Sequence, residues 1–295
     1  MTPHLIFYCP RSVGLGTYPQ VAYNEFLLRL SNQLNAAVIT APYPVGLDHA
    51  QLAQRNGDLL ERAVKYCRND RSRQYPSELP TFSLAHSLGS KLSCLHAIDQ
   101  PEQQRRLNIQ AHGYISFNNF GFDQTFTMAK QVGNTFRLHT GLARNKEHEL
   151  LVDGFFSLAE RIVQVAAVEF RPSPAQTLSQ LRYRLTAQQR EKIRLFTFDS
   201  DRMDSARDVV SVCEDATGTS SVVPRVSSLP GTHLTPVFFR LLPDGATAQA
   251  QLGKEDDLQA LVEEVCGWVH GREPTVEPVW ATRSTPSRTL EPAPR

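Results

Sequence analysis

The stretch Phe82-Ser83-Leu84-Ala85-His86-Ser87-Leu88-Gly89 runs an apolar segment straight into a helical pattern, with a serine at the junction. This is close to G-x-S-x-G, the sharp strand-to-helix turn that lifts a serine hydroxyl above an α/β sheet. The positions two before and two after the serine must be small, because the turn leaves no room for more. Gly89 meets that demand, and Ala85 adds a single methyl to the first position. Ser87 is therefore the candidate nucleophile. The plainer reading is a serine N-cap at the start of a helix.

A serine hydroxyl attacks a carbonyl only when a base takes its proton and an acid orients that base. On such folds the chain order is serine, acid, histidine. The segment Asp199-Ser200-Asp201-Arg202-Met203-Asp204 follows an apolar run at Ile193–Phe198. Asp201 is the favoured acid from its spacing after that run. Asp204 is the alternative acid, with capping of the next helix as its plainer role. His233, in Gly231-Thr232-His233-Leu234-Thr235-Pro236, follows the last predicted strand. A loop histidine beside Gly and Pro is by itself more often plain surface. Ser87, Asp201 and His233 nevertheless come in the required order, each at the carboxyl end of a strand, where open α/β sheets place ligands.

The oxyanion formed on attack needs N–H donors. The backbone of Leu88 supplies one, and the loop after the first strand, at Arg11 or Ser12, supplies a second. Gly14-Leu15-Gly16 in that loop is a lone G-x-G, with no phosphate-loop Lys-Ser/Thr after it, so a dinucleotide site is the weaker reading. Asp48 and His49 follow the second strand, and Asn118 and Asn119 the fourth. Capping for Asp48 and turn formation for the asparagines are the simplest roles, and a polar pocket rim is the functional one. His86 shapes the turn. His112, His139 and His148 lack metal-ligand spacing, so neither metal nor cofactor is expected.

These residues need a scaffold that collects strand ends. Short apolar runs alternate with amphipathic stretches, which predicts a mostly parallel sheet with helices on both faces. Strands are expected at Leu5–Cys9, Ala37–Ala41, Thr81–Ala85, Gly113–Phe117, Ile193–Phe198 and Ser221–Val226. Helices are expected at Val21–Leu34, His49–Cys67, after the elbow, and at Asp256–Val269. Residues of about 120–190, including a helical piece at Glu147–Val168, are too long for one crossover and read as an inserted helical cap. The expected organisation is a single domain over 1–270, with a Pro-rich, apolar-poor tail over 271–295 that reads as disordered.

Thirty-one basic residues balance thirty acidic ones, so no overall field draws in nucleic acid or an anionic membrane. Five scattered cysteines with no C-x-x-C pair suggest neither zinc nor a disulfide framework. No apolar run nears the roughly 20 residues of a membrane span. A cytoplasmic location is expected, or the plastid stroma in a eukaryotic source.

Several segments together resemble a known family, the α/β-hydrolase-like family of unknown function numbered thirteen-fifty, found in cyanobacteria and plastids. They are Gly16-Thr17-Tyr18-Pro19-Gln20-Val21-Ala22-Tyr23, Ala41-Pro42-Tyr43, Leu47-Asp48-His49 and Ala85 to Leu92. Ile115-Ser116-Phe117-Asn118-Asn119, Val168 to Pro174 and Gly231 to Pro236 complete the set. The resemblance implies an α/β-hydrolase scaffold with a serine, acid, histidine site and a photosynthetic source, and it supplies no substrate. Ala85 and the Pro10-Arg11-Ser12 loop depart from the family's more glycine-rich pattern. Two functions compete: a serine hydrolase acting on a small-molecule ester or thioester, and a catalytically inactive member serving as a binding or assembly factor.

Overall fold

A computed structural model of the chain describes residues 4–9, 22–44, 46–69, 79–122, 124–125, 169–215, 222–241 and 250–281. Six strands form one sheet: β1 (His4–Cys9), β2 (Ala36–Thr40), β3 (Thr81–His86), β4 (Ile109–Ile115), β5 (Ile193–Phe198) and β6 (Arg225–Leu229). They lie in the order β2-β1-β3-β4-β5-β6, and every pairing is parallel. The order reverses between β1 and β3, which opens a crevice at the carboxyl ends of the strands. A short antiparallel pair, β7 (Phe239–Leu241) with β8 (Ala250–Leu252), stands apart.

Helices α1 (Asn24–Leu34), α2 (His49–Asn69), α3 (Leu88–Asp99), α4 (Pro101–Arg106), α5 (Pro174–Arg184), α6 (Ala187–Glu191) and α7 (Ala206–Asp215) lie in the crossovers, and α8 (Glu255–Val269) follows the last strand. β5 is buried along its whole length, and its alternation feeds two cores. Phe196 and Phe198 point to the face covered by α1 and α8, with Phe26, Leu30, Leu261 and Val265. Ile193 and Leu195 point to the face covered by α2, α3, α5 and α7, with Leu52, Leu95, Leu181 and Val209. Gly113 lets α8 come close: a Cβ there would meet Leu84 at 2.8 Å and Phe196 and Trp268 at 3.0 Å.

Two strands depart from expectation by more than one residue. β4 starts at Ile109 and stops at Ile115, because Ser116 turns away with φ 48°. Its first residues lie half-buried and partly polar at the sheet's end, which hid them from an apolar-run reading. β6 starts after Pro224, not at Ser221. Proline has no N–H to give to a ladder, and Ser227 and Ser228 extend the strand instead.

Within the expected cap, 174–191 form α5 and α6. Both open on capping boxes, Ser173 with Gln176 and Thr186 with Gln189, and Leu181 and Leu185 pack into the second core. The expected helical piece at Glu147–Val168 lies outside the described residues.

Disorder from Gly271 onward does not hold for 271–281. Glu264 and Arg194, both buried, approach to 3.5 Å. Ser227 Oγ donates to Glu264 at 2.7 Å, and the Thr275 N–H donates to it at 3.2 Å. Arg194 also donates to the carbonyl of Arg272 at 3.0 Å, and the Ser228 N–H to that of Val276 at 2.8 Å. Polar composition concealed a segment held by hydrogen bonds to Arg194, Glu264 and β6. Residues 282–295 lie outside the described residues.

Candidate active site

Ser87 sits between β3 and α3 with φ 58° and ψ −126°. A non-glycine residue in such backbone costs on the order of 1–3 kcal/mol and persists only where neighbours hold it. Here the Ser87 N–H donates to the carbonyl of Ile115 at 2.9 Å, and the N–H of Asn118 donates back to the Ser87 carbonyl at 3.4 Å. The Ser90 hydroxyl adds a bond to Ile115 at 3.2 Å. The end of adjacent strand β4 and the loop after it thus grip the turn from both sides.

Asp201 and His233 are brought to Ser87 by the loops after β5 and β6. The loops are laced together, with the Ser200 N–H on the Gly231 carbonyl at 3.1 Å and the Gly231 N–H on Asp199 Oδ1 at 3.2 Å. Gly231 has φ 125°, a backbone that favours glycine. His233 Nε2 then lies 2.8 Å from Ser87 Oγ, and His233 Nδ1 lies 2.9 Å from Asp201 Oδ2. The three side chains are nearly or wholly buried.

Burial alone would push the Asp201 carboxyl up. The hydrogen bond and charge of His233, the Ser116 hydroxyl and the Met203 N–H outweigh it and hold the group below its ordinary value. An ionised carboxylate only accepts, so Nδ1 of His233 carries the proton. Nε2 is left as an acceptor facing the Ser87 hydroxyl.

Asp204 does not reach this line. Its Oδ1 accepts from the Ala206 N–H at 2.8 Å, the capping role for α7. Burial and the neighbouring Asp201 charge push its carboxyl well up.

Leu88 opens α3, where a first-turn N–H has no partner within the helix, directly after Ser87. Arg11 and Ser12, and the Gly14–Gly16 loop, lie outside the described residues.

The expected rim residues serve the frame. Asp48 Oδ1 accepts from the Gln51 N–H at 2.8 Å and caps α2. His49 is buried against Phe170 at 4.3 Å between ring centres, and burial with the Lys91 charge lowers its pKa to about 3. Asn118 Oδ1 accepts from the Phe120 N–H at 3.1 Å, and Asn119 Nδ2 donates to the Pro174 carbonyl at 3.0 Å.

Sequence reasoning gave His86 too little. Its Nδ1 is 2.9 Å from Tyr23 Oη and its Nε2 is 2.9 Å from the carbonyl of His233. Lys91, one helical turn beyond Ser87, was also passed over. Its buried Nζ donates to the Pro172 carbonyl at 3.0 Å, and burial lowers its pKa to about 8. The signal for both was position: one residue before and four after the elbow serine, in the segment that carries the family resemblance. Among the described residues, no group of three or more His, Cys, Asp and Glu side chains could hold a metal ion.

A parallel sheet with helices on both faces and a strained serine turn at the reversal of strand order defines an α/β-hydrolase fold. Solved structures agree. The peroxisomal α/β-hydrolase Lpx1 of Saccharomyces cerevisiae superposes with a TM-score of 0.52 at 10% identity, over 92% of this chain and 77% of that one. A soluble variant of the monoglyceride lipase of the same yeast, solved with a substrate analogue, gives 0.50 at 10% identity over 92% and 87%. Identity this low speaks for the fold alone. Residues 6–247 match the family described as protein of unknown function DUF1350, and the chain belongs to that family. No curated protein matches it.

Proposed function

We propose that this protein is a serine hydrolase acting on an ester or thioester. The observation that carries the reading is the unbroken line Ser87 Oγ, His233 Nε2, His233 Nδ1 and Asp201 Oδ2, with separations of 2.8 and 2.9 Å. Ser87 Oγ attacks the carbonyl carbon while its proton passes to His233 Nε2. Asp201 stabilises the imidazolium so formed and keeps the ring in its productive tautomer. The Leu88 N–H faces the negative oxygen of the tetrahedral intermediate, aided by the positive end of α3.

Collapse of the intermediate expels the alcohol or thiol, which takes the proton from His233. Water, deprotonated by the same nitrogen, then releases the acid and restores Ser87. In this reading the residues of about 120–190 form the cap that selects the acyl group.

The test is a fluorophosphonate probe on purified protein. The wild type should be labelled and Ser87→Ala should not. A folded wild type that resists the probe and cleaves no p-nitrophenyl ester or acyl thioester would sink the proposal.

A further inference from the structure

The line of hydrogen bonds does not start at Ser87. His86, the residue just before it, bonds to the main chain of the very histidine that faces the serine. A carbonyl oxygen only accepts, so His86 Nε2 carries the proton and donates to His233 O at 2.9 Å. Nδ1 of His86 is then a lone pair, and the Tyr23 hydroxyl donates to it at 2.9 Å. Tyr23 and His86 are both fully buried, so water does not compete for these bonds. The tautomer of His86 is fixed from both ends.

The rest of the His233 loop is tied elsewhere. Gly231 is held by Asp199 and Ser200, and Thr232 by Thr235. The His233 peptide is held by β3, the strand that delivers the serine, and the two imidazole rings lie 5.0 Å apart, tilted at 43°. Serine and histidine are therefore located from one common residue.

Resting on the serine-hydrolase reading above, we propose that His86 is a positioning residue that fixes the backbone of His233 relative to Ser87, with Tyr23 setting the tautomer of His86. The role is geometric. A displacement of about 1 Å at a reacting group costs on the order of 10²-fold in rate. An alanine at 86 removes the His86 bond to the His233 carbonyl, whereas a glutamine keeps an amide N–H within reach of it.

The experiment compares wild type, His86→Ala, His86→Gln and Tyr23→Phe by p-nitrophenyl ester kinetics, fluorophosphonate labelling rate and the downfield NMR signal of the His233 Nδ1 proton. His86→Ala should lose on the order of 10- to 100-fold in kcat and labelling rate, with KM little changed. Its His233 Nδ1 signal should broaden or vanish. His86→Gln should recover most of both, and Tyr23→Phe should lie between wild type and His86→Ala.

A folded His86→Ala with wild-type kcat and an unchanged Nδ1 signal overturns the inference. So does a His86→Gln no better than His86→Ala. If His86→Ala does not fold, wild-type behaviour of Tyr23→Phe overturns it. A wild type inert to every acyl probe, with the NMR signal responding as described, removes the hydrolase reading and leaves the positioning role standing.

Discussion

His233 Nε2 and Ser87 Oγ lie 2.8 Å apart although 146 positions separate them in the chain. Nothing local creates that contact. It needs β3 and β6 in one parallel sheet, the laced loops after β5 and β6, and a serine held in strained backbone.

Replacing Ser87 separates chemistry from strain. Ser87→Ala should lower ester turnover by about 10⁴-fold or more, as loss of a serine nucleophile does elsewhere. Ser87→Gly should be equally inactive yet more stable than Ser87→Ala by about 1 kcal/mol, because glycine accepts φ 58° without a Cβ penalty. Ester kinetics with thermal denaturation of both variants reads the two effects. A purely binding or assembling protein predicts instead that Ser87→Ala replaces the wild type in cells.

The two acids should part company. Asp201→Asn keeps the shape but offers an amide to His233 Nδ1, and turnover should fall by about 10⁴-fold. Asp204→Asn still accepts from the Ala206 N–H, and turnover should stay within several-fold of wild type. Steady-state kinetics on the pair decides, and the reverse ranking would make Asp204 the acid.

Asp204 also sets a pH dependence of stability. Its carboxyl is raised in the folded state by burial and the Asp201 charge, so the folded protein binds that proton more tightly than the unfolded chain. The stabilisation is full below the ordinary carboxylate range and fades as pH rises through the raised value. Asp204→Asn removes that loss. Its Tm should exceed the wild type's at pH 8, and the gap should close toward pH 4. Melting curves across that range provide the check.

The packed segment after α8 should matter for stability. Glu264→Ala leaves Arg194 buried without its carboxylate and should cost on the order of 3–5 kcal/mol. Ending the chain at Gly271 removes Thr275 and the Val276 carbonyl from the same cluster and should also destabilise. Denaturant unfolding measures both.

Much of this was legible in the residues because it rests on short-range rules. β5 was readable to the residue, since four of its six residues are large apolar ones and the run ends sharply at Asp199. That Ser87, Asp201 and His233 come together was readable because strand ends, small-residue turns and chain order are written along the sequence. The start of β4 was not, because its first residues lie exposed or half-buried, and neither were the serines of β6, because Ser227 is satisfied by partners far away, Arg194 and Glu264. The same holds for His86, whose partners lie 63 and 147 positions off. Asp204 was ambiguous by type and was resolved only by the N–H it caps.

The grip of β4 on the elbow reaches past the reaction itself. With its N–H on Ile115 and its carbonyl receiving Asn118, Ser87 takes its backbone pose from the end of β4 and the loop that follows it. Exchange of residues 126–168 should therefore leave those two bonds in place, a fitting changed on a fixed mount. On the proposed hydrolase, chimaeras among family members that swap only this stretch should change selectivity while turnover holds.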